Sequence, residues 1–372
     1  MRMFQVIRGA HVYAPEDLGI QDVWMCGDRI IAVGEDPGVR NASEIDGTGK
    51  ILVPGFIDGH VHIIGGGGED GFPSLIPELQ MTDCVRYGVT SVVGLLGTDS
   101  AVKSVRALIA KTKALRESGM SAWCLTGSYA YPSVTLTGSV RDDITFIEEI
   151  IGVKIAISDH RSSNIHKEEL ARLAADARYA GLLTGKAGIV HMHTGRGKKG
   201  LCDVFEIVEQ TDIPISHFRP THCGNQLKDA LVFGHMGGYL DFTAGKKTAA
   251  NIHRALEDVP HDHITLSSDA NGSFPVWNEN NELIGMGIGK METLLETVKD
   301  MIRNEKLSVT ESFAFITSNP ADALKLKNKG HIRTGYDADF VLLDKGLNIR
   351  DVICLGKQAV RDGEMIIRNY YI

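Results

Sequence analysis

The sequence has few cysteines, and none of them are spaced to hold a metal ion or to suggest a disulfide framework. The six thiols form no C-x-x-C motif and lie far apart, at Cys26, Cys84, Cys124, Cys202, Cys223 and Cys354. A disulfide-stabilised secreted fold is therefore not expected. Reduced thiols of this kind are typical of a cytoplasmic protein, and the cytoplasm is the location that we predict.

The sequence also lacks long hydrophobic runs and blocks of basic residues. No apolar stretch approaches the roughly 20 residues that a membrane-spanning helix needs. The first residues, MRMFQVIRGAHVYAPED, show neither the apolar segment nor the cleavage pattern of a signal peptide. The net charge is −8, with no dense Lys/Arg segment. We therefore expect neither a membrane nor a nucleic acid as a partner.

What the sequence does contain is a regular alternation of strand and helix patterns. Its 372 residues suffice for one large domain and a smaller one. Residues 3–53 have the pattern of short β segments separated by turns. From Pro54 onward, apolar β-branched strands alternate with amphipathic helical segments. We predict eight such strands, which begin near residues 55, 90, 121, 153, 188, 215, 239 and 264. The predicted helices between and after them include 76–88, 100–118, 166–181, 200–211, 248–258 and 289–304.

This alternation predicts an α/β fold. Buried strands joined by crossover helices form parallel sheets, and eight such units suit a (β/α)8 TIM-type barrel of roughly 250 residues. A doubly wound open sheet is the alternative, but its G-x-G-x-x-G fingerprint is missing after the first strand of the barrel. We assign residues 55–327 to the barrel. We predict that residues 1–54 and 328–372 form a small β-sandwich from both ends of the chain.

Metal-ligand residue types occur at the carboxyl ends of the predicted strands, which is the edge where such barrels carry their active sites. The first strand ends in two histidines at i, i+2 spacing, so both imidazoles lie on one face of the strand. Later strands end in two more histidines and an aspartate. Together these residues predict a metal centre: His60, His62, His193, His222 and Asp269.

Lys154 lies within an otherwise apolar predicted strand, where a charged amine is costly unless it is paired or neutralised. It could reach the barrel mouth and pair with Asp159. We favour carboxylation by CO2, which gives a carbamate able to bridge two divalent ions and is helped by the lower lysine pKa that burial causes. A bridging hydroxide could then hydrolyse an amide-like bond, with Asp269 as the catalytic residue that accepts its proton.

The residues from Pro54 to His62 (PGFIDGHVH), the lysine of the fourth strand and the ligands on later strands together resemble the amidohydrolase superfamily. Within it, longer runs, such as VKIAISDHRS from Val153 and LSSDANGS from Leu266, are similar to the isoaspartyl (β-aspartyl) dipeptidase family. The resemblance implies two divalent metal ions, with zinc expected, and a carboxylated Lys154 as bridging ligand. It also implies a homo-oligomer that cleaves the isopeptide bond of small β-aspartyl dipeptides.

The resemblance further implies residues that bind the dipeptide. Glu69 would bind the free α-amino group, and Arg161 would bind a carboxylate. Tyr129 would act in catalysis by donating a hydrogen bond to the carbonyl oxygen in the transition state. Thr98 and Ser273 would supply further polar contacts.

One position departs from the family pattern. The family places a second arginine just after the histidine of the sixth strand, and this chain has Asn225 there. Losing a charge-assisted contact costs about 1.5–3 kcal/mol, so either another cation, such as Arg219 or Arg196, substitutes or the preferred substrate differs. Other N-acyl amino acids or cyclic amides, as in dihydroorotases and hydantoinases, are an alternative substrate class. A metal-free scaffold and a mononuclear deaminase are further alternatives, although Lys154 argues against a one-metal site.

Overall fold

The structure is a computed structural model that describes residues 4–278 and 283–370. The chain begins with five strands, β1 (Phe4–Tyr13), β2 (Asp17–Cys26), β3 (Arg29–Val33), β4 (Ser43–Asp46) and β5 (Ile51–Pro54). Among the described residues, no helix has both the length and the apolar character needed to cross a membrane.

Eight parallel strands follow, as the alternating pattern predicted. They are β6 (Phe56–Val61), β7 (Val89–Gly94), β8 (Ser121–Gly127), β9 (Ile150–Ile157), β10 (Ile189–Thr194), β11 (Phe218–Thr221), β12 (Leu240–Thr243) and β13 (Ile264–Ser267). Strands β6 to β11 form one curled sheet in chain order, and β12 pairs with β13. The backbone N–H of His62 donates to the carbonyl of Ala270 at 2.9 Å, which joins the segment after β13 to the segment after β6. This arrangement is consistent with the predicted TIM-type barrel.

Ten helices accompany these strands in the part of the chain that the structure describes. They are α1 (Met81–Val85), α2 (Val105–Glu117), α3 (Val140–Phe146), α4 (Lys167–Thr184), α5 (Cys202–Gln210), α6 (Leu227–His235), α7 (Thr248–Ala255), α8 (Thr293–Arg303), α9 (Val309–Ala314) and α10 (Ser318–Ala323). Between β13 and α8 lies a hairpin, β14 (Ser273–Trp277) and β15 (Leu283–Ile288), that the sequence pattern did not predict.

Several predicted elements differ from the structure in length. The helix predicted over 76–88 is reduced to α1, because Gln80 and Asp83 form a capping box that starts the helix late. The strand predicted from residue 215 begins with a 3-10 turn, Ile215–His217, that follows Pro214. The α3 helix was not predicted, since seven residues span less than two full turns and leave little periodicity to detect.

Both chain ends contribute to one nine-stranded sheet. Strand β16 (Phe340–Leu343) pairs antiparallel with β5, and it is followed by β17 (Ile349–Cys354), β18 (Lys357–Arg361) and β19 (Glu364–Met365). The order is β19-β18-β17-β16-β5-β1-β2-β3, with β4 beside β1. Buried side chains such as Ile7, Leu52 and Phe340 form a hydrophobic cluster in this region. That this region is a sandwich, and that its limits are 1–54 and 328–372, stay predictions.

A buried ion-pair cluster connects the segment after α10 to the strands of this sheet. Lys329 is 5% exposed, and its ammonium pairs with Asp337 at 2.7 Å and with the carboxylate of Asp339. Asp339 also accepts the backbone N–H of Leu355 at 2.7 Å. The buried Lys329 therefore offsets the charge of the buried Asp339, while Asp337 pairs with Arg29 as well.

We predict that Lys329→Met lowers the free energy of unfolding by about 3–5 kcal/mol, because it leaves the buried Asp339 carboxylate without its cation. The matched control is Lys345→Met on the exposed side of the same region, which should stay within about 0.5 kcal/mol of the unsubstituted protein. Urea denaturation followed by circular dichroism measures both. Equal stability of the two variants would contradict the assigned role of Lys329.

Candidate metal centre and active site

The predicted ligands come together at the carboxyl ends of the parallel strands. Asp269 lies at the centre of the group, where its Oδ1 is 3.2 Å from Nε2 of His60 and 3.1 Å from Nε2 of His62. Its Oδ2 is 4.0 Å from Nδ1 of His222. One ligand atom from each of His60, His222 and Asp269 fits within 4.8 Å of the others. The structure thus brings one carboxylate and three imidazoles from three separate segments together.

Several polar atoms of this group are buried without a hydrogen-bond partner among the described residues. They are Nε2 of His60, Nδ1 of His62, Oδ1 of Asp269 and Nζ of Lys154. Buried polar groups in proteins are normally satisfied, so an unsatisfied cluster of nitrogen and oxygen donors points to a missing ligand. Imidazole nitrogens and a carboxylate oxygen are donors that divalent ions such as zinc accept. The residues present therefore fit a metal centre.

Burial gives the histidines the protonation state that metal ligation requires. It lowers the pKa of His60 to about 3, with a further contribution from the Lys154 charge, and it lowers the pKa of His193 to about 4. Burial raises the pKa of Asp269, but His60 and His62 lower it by more, and the pKa lies well below its usual range. At neutral pH the imidazoles of His60 and His193 are therefore neutral and the Asp269 carboxylate is charged.

Lys154 lies on β9, fully buried below this cluster. Burial lowers the pKa of its amine to about 7, although the charge of Asp269 opposes the shift. The alternative that Lys154 pairs with Asp159 is wrong, because Asp159 pairs instead with Arg161 at 2.9 Å and with His193 at 2.9 Å. A substantial fraction of the Lys154 amine is thus uncharged near neutral pH, which is the form that reacts with CO2.

A second layer of polar residues orients His60 from below. Nε2 of His191 lies 3.0 Å from Nδ1 of His60, and the Thr221 hydroxyl lies 3.2 Å from the same atom. Thr221 donates to Asp241 at 2.7 Å. Asp58 accepts the backbone N–H of His60 at 3.3 Å and the Ser268 hydroxyl. Such partners fix the ring orientation of a ligating histidine.

Asp58 and Asp241 were not among the residues predicted for the site. Asp58 could have been predicted from its spacing. It lies two residues before His60, so both side chains lie on one face of β6. Asp241 offered no comparable signal, because the hydroxyls that surround it come from two other strands.

His193 is placed at the cluster by Tyr129 and Asp159. The Tyr129 hydroxyl lies 2.6 Å from Nδ1 of His193, and Asp159 Oδ2 lies 2.9 Å from Nε2. Burial raises the pKa of Tyr129 well above its usual value, so its hydroxyl stays protonated and can donate a hydrogen bond. Sequence reasoning placed Tyr129 at the site, but it considered Asp159 only as a partner for Lys154.

The residues expected to bind substrate form one hydrogen-bonded group at the mouth. Glu69 accepts from the Thr98 hydroxyl at 2.7 Å, from Arg161 Nη1 at 2.7 Å and from the Ser273 hydroxyl. Burial raises the pKa of Glu69, but these three donors lower it by more, so Glu69 is a carboxylate. The predicted group is thus assembled from three loops and the start of β14.

A cavity of about 460 Å³ joins this group to the metal-ligand cluster. Glu69, Thr98, Tyr129, Arg161 and Ser273 line it, together with His62, His193, His222 and Asp269. Both the substrate group and the ligand cluster therefore open onto the same space.

Arg196 and Arg219, the two arginines considered as replacements for the missing family arginine, lie in different places. Arg196 and Asn225 both line the cavity. Arg219 is not among the lining residues; it pairs in register with His191, one layer deeper than His193 and Thr221. Its guanidinium donates to the Ala323 carbonyl at 3.0 Å and lies 4.5 Å from the ring of Tyr239. The suggestion that Arg219 takes part in substrate binding is therefore wrong.

The chain is similar to proteins of known structure and to curated relatives. The crystal structure of a beta-aspartyl dipeptidase from Fervidobacterium islandicum AW-1 in complex with beta-Asp-Leu dipeptide is 42% identical, with a TM-score of 0.93 over 99% of this chain and 100% of that chain. Curated relatives are an adenine deaminase from Bacillus pumilus, 26% identical over 92% of this chain and 55% of its own length, and an allantoinase from Enterococcus faecalis, 24% identical over 87% of this chain and 83% of its own.

The chain spans only about half the length of the adenine deaminase that it matches. The model of the Amidohydrolase family, by contrast, matches residues 51–359, which include the cavity and every metal-ligand candidate. With this match and the similarity to the dipeptidase structure, the chain is a hydrolytic enzyme that belongs to the Amidohydrolase family.

Proposed function

We propose that this protein is a binuclear metal-dependent hydrolase that cleaves the isopeptide bond of β-aspartyl dipeptides. The observation that carries the proposal is the Glu69–Arg161 ion pair, 2.7 Å long, which lies in the same cavity as the metal-ligand cluster. The head of a β-aspartyl residue has a free ammonium and a free carboxylate. It can exchange with this ion pair, its ammonium on Glu69 and its carboxylate on Arg161.

The similarity to the dipeptidase structure with beta-Asp-Leu supports the same substrate class. We infer that a small dipeptide is the partner of this enzyme, that the enzyme is a homo-oligomer, and that it acts in the cytoplasm. The last two inferences come from the sequence alone.

We infer that His60, His62 and Asp269 would hold one metal ion and that His193 and His222 would hold the other, with a carboxylated Lys154 as the shared ligand. The unsatisfied buried atoms of His60, His62, Asp269 and Lys154 support the first site and the shared ligand. His193 and His222 are assigned from the family resemblance, since both ring nitrogens of His193 already have hydrogen-bond partners. When bound, two divalent ions, with zinc the expected metal, lower the pKa of water and polarise a carbonyl group.

The side chains around the cluster then have separate tasks. Asp269 is a carboxylate at neutral pH, so it can accept the proton of the attacking water and pass it to the leaving amine. The protonated Tyr129 hydroxyl can donate to the carbonyl oxygen as negative charge develops there. Glu69 and Arg161 hold the aspartyl head in place while the bond breaks.

A second candidate function is hydrolysis of a cyclic amide or another N-acyl amino acid. Two observations favour it: Asn225 brings no charge to the cavity, and one relative is named allantoinase. A cyclic amide lacks the free ammonium that Glu69 would bind, so the two candidates differ in what they require of the cavity mouth.

The first prediction separates these candidates by substrate. β-Asp-Leu should be cleaved readily, whereas α-Asp-Leu, γ-Glu-Leu, hydantoin and dihydroorotate should be cleaved at least about 100-fold less well, because they misplace or lack groups that the cavity pairs. Release of leucine, or ring opening, measured as kcat/KM, gives the comparison. Preference for a cyclic amide would replace the dipeptidase proposal with the second candidate.

Removing the Lys154 side chain tests the bridging carbamate. Lys154→Ala should lower kcat/KM for β-Asp-Leu by at least about 100-fold and reduce the metal content per chain, because a shared ligand is lost. Added acetate or propionate should restore part of both, since a small carboxylate can occupy the vacated space. Elemental analysis and activity are measured with the exposed Lys228→Ala as the control. Full activity of Lys154→Ala would exclude the bridge.

Neutralising Glu69 tests the amino-group contact. Glu69→Gln should lower kcat/KM for β-Asp-Leu by about 10- to 100-fold, because one charge-assisted contact is worth about 1.5–3 kcal/mol. N-acetyl-β-Asp-Leu has no ammonium, so its kcat/KM, or its inhibition constant if it is not cleaved, should change little. Loss of equal size for both compounds would remove the assigned role. Glu117→Gln, on the exposed surface, serves as the control.

A further inference from the structure

The charges of a β-aspartyl dipeptide set a requirement that Glu69 and Arg161 do not fully meet. Such a dipeptide carries one ammonium and two carboxylates, one on the aspartyl head and one at the end of the leaving amino acid. If the proposed function holds, Glu69 and Arg161 bind the two charges of the head. The carboxylate of the leaving residue then needs a further cation if it is to contribute to binding, since charge-assisted hydrogen bonds are the strong ones.

Arg161 carries one positive charge, and that charge already faces two carboxylates of the protein. Its Nε and Nη2 donate to the two oxygens of Asp159 at 2.9 and 3.1 Å, and its Nη1 donates to Glu69 at 2.7 Å. A substrate carboxylate can replace Glu69 on Nη1. Asp159 still offsets the single charge of Arg161 after that exchange, so a second substrate anion has no cation of its own there.

Arg196 is the other arginine that lines the cavity, and no lysine does so among the described residues. It is exposed, and within residues 4–278 and 283–370 it makes no hydrogen bond or ion pair. Asn225 is uncharged, and its Nδ2 already donates to the Thr194 carbonyl at 3.3 Å. Arg196 is thus a permanent cation at the cavity that the protein itself leaves without a counter-ion.

The backbone on both sides of Arg196 is held firmly while its side chain is free. Gly195 donates to the Ile157 carbonyl at 3.3 Å, and Gly197 donates to the Ser158 carbonyl at 2.6 Å. A Cβ at Gly195 would lie 2.4 Å from Asp159 Oδ2, and one at Gly197 would lie 2.5 Å from the Ser158 carbonyl oxygen. Glycine is therefore required at both positions, and the segment is packed tightly against the end of β9.

We propose that Arg196 binds the carboxylate of the leaving amino acid and thereby makes the enzyme specific for dipeptides with a free C-terminus. The proposal rests on the proposed function of the cavity. A guanidinium can hold a carboxylate through two parallel hydrogen bonds. A dipeptide whose C-terminus is an amide lacks that charge, so it should bind more weakly at this end of the cavity.

The test compares β-Asp-Leu with β-Asp-Leu amide in three proteins. The unsubstituted enzyme should prefer the free acid by about 10- to 100-fold in kcat/KM. Arg196→Met should lose this preference: activity on the free acid falls, mainly through a higher KM, while activity on the amide stays within about twofold. Lys198→Met, two residues away and also exposed, is the matched control and should keep the full preference.

Any other outcome contradicts either the dipeptidase proposal or the role of Arg196. If the unsubstituted enzyme cleaves neither compound, the dipeptidase proposal fails, and the role of Arg196 fails with it. If it cleaves both equally, or if Arg196→Met keeps the preference, only the role of Arg196 is overturned. Equal losses on both compounds overturn it too, because they indicate a structural effect. Arg196→Lys should retain an intermediate preference, since it keeps the charge but not the paired donors.

Discussion

The structure depends on the desolvation of polar side chains at the carboxyl ends of the parallel strands. Burial keeps the His60 and His193 imidazoles neutral and lowers the pKa of the Lys154 amine to about 7. Asp269 stays anionic because the neighbouring His60 and His62 lower its pKa. Left alone, such unsatisfied groups are costly. The proposed divalent ions would supply partners for these groups.

The metal cluster and the cavity mouth are linked through one carboxylate. Asp159 holds Nε2 of His193 with one oxygen and the guanidinium of Arg161 with both. Because His193 and Arg161 share Asp159 as a partner, they cannot move independently. The orientation of a metal-ligand candidate and that of a substrate-binding candidate are therefore fixed together. The same loop also anchors the glycines that flank Arg196.

The sheet formed by the two chain ends supports the site through the junction at Gly55. Strand β5 belongs to that sheet, and β6, which carries His60, begins directly after it. The Gly55 N–H donates to the Asp339 carbonyl at 2.9 Å, and a Cβ there would lie 2.2 Å from the Thr90 hydroxyl. The Lys329–Asp339 pair is part of the same contact. The position of β6, the first of the eight parallel strands, is thus tied to the C-terminal segment, which is far away in sequence.

The sequence by itself determined the alternation of strands and helices and the residue types at the strand ends. These follow from periodicity and from the rule that parallel strands end at one edge, so His60, His62, His193, His222 and Asp269 could be grouped before any coordinates were known. Only the tertiary structure decided which polar groups meet. Asp159, Asp58 and Asp241 gain their roles from partners on other segments, and the register of β10 and β11 placed Arg219 a layer below the cavity while Arg196 lines it. Depth in a barrel and pairing across strands depend on register and packing, which are properties of the folded chain and have no local pattern.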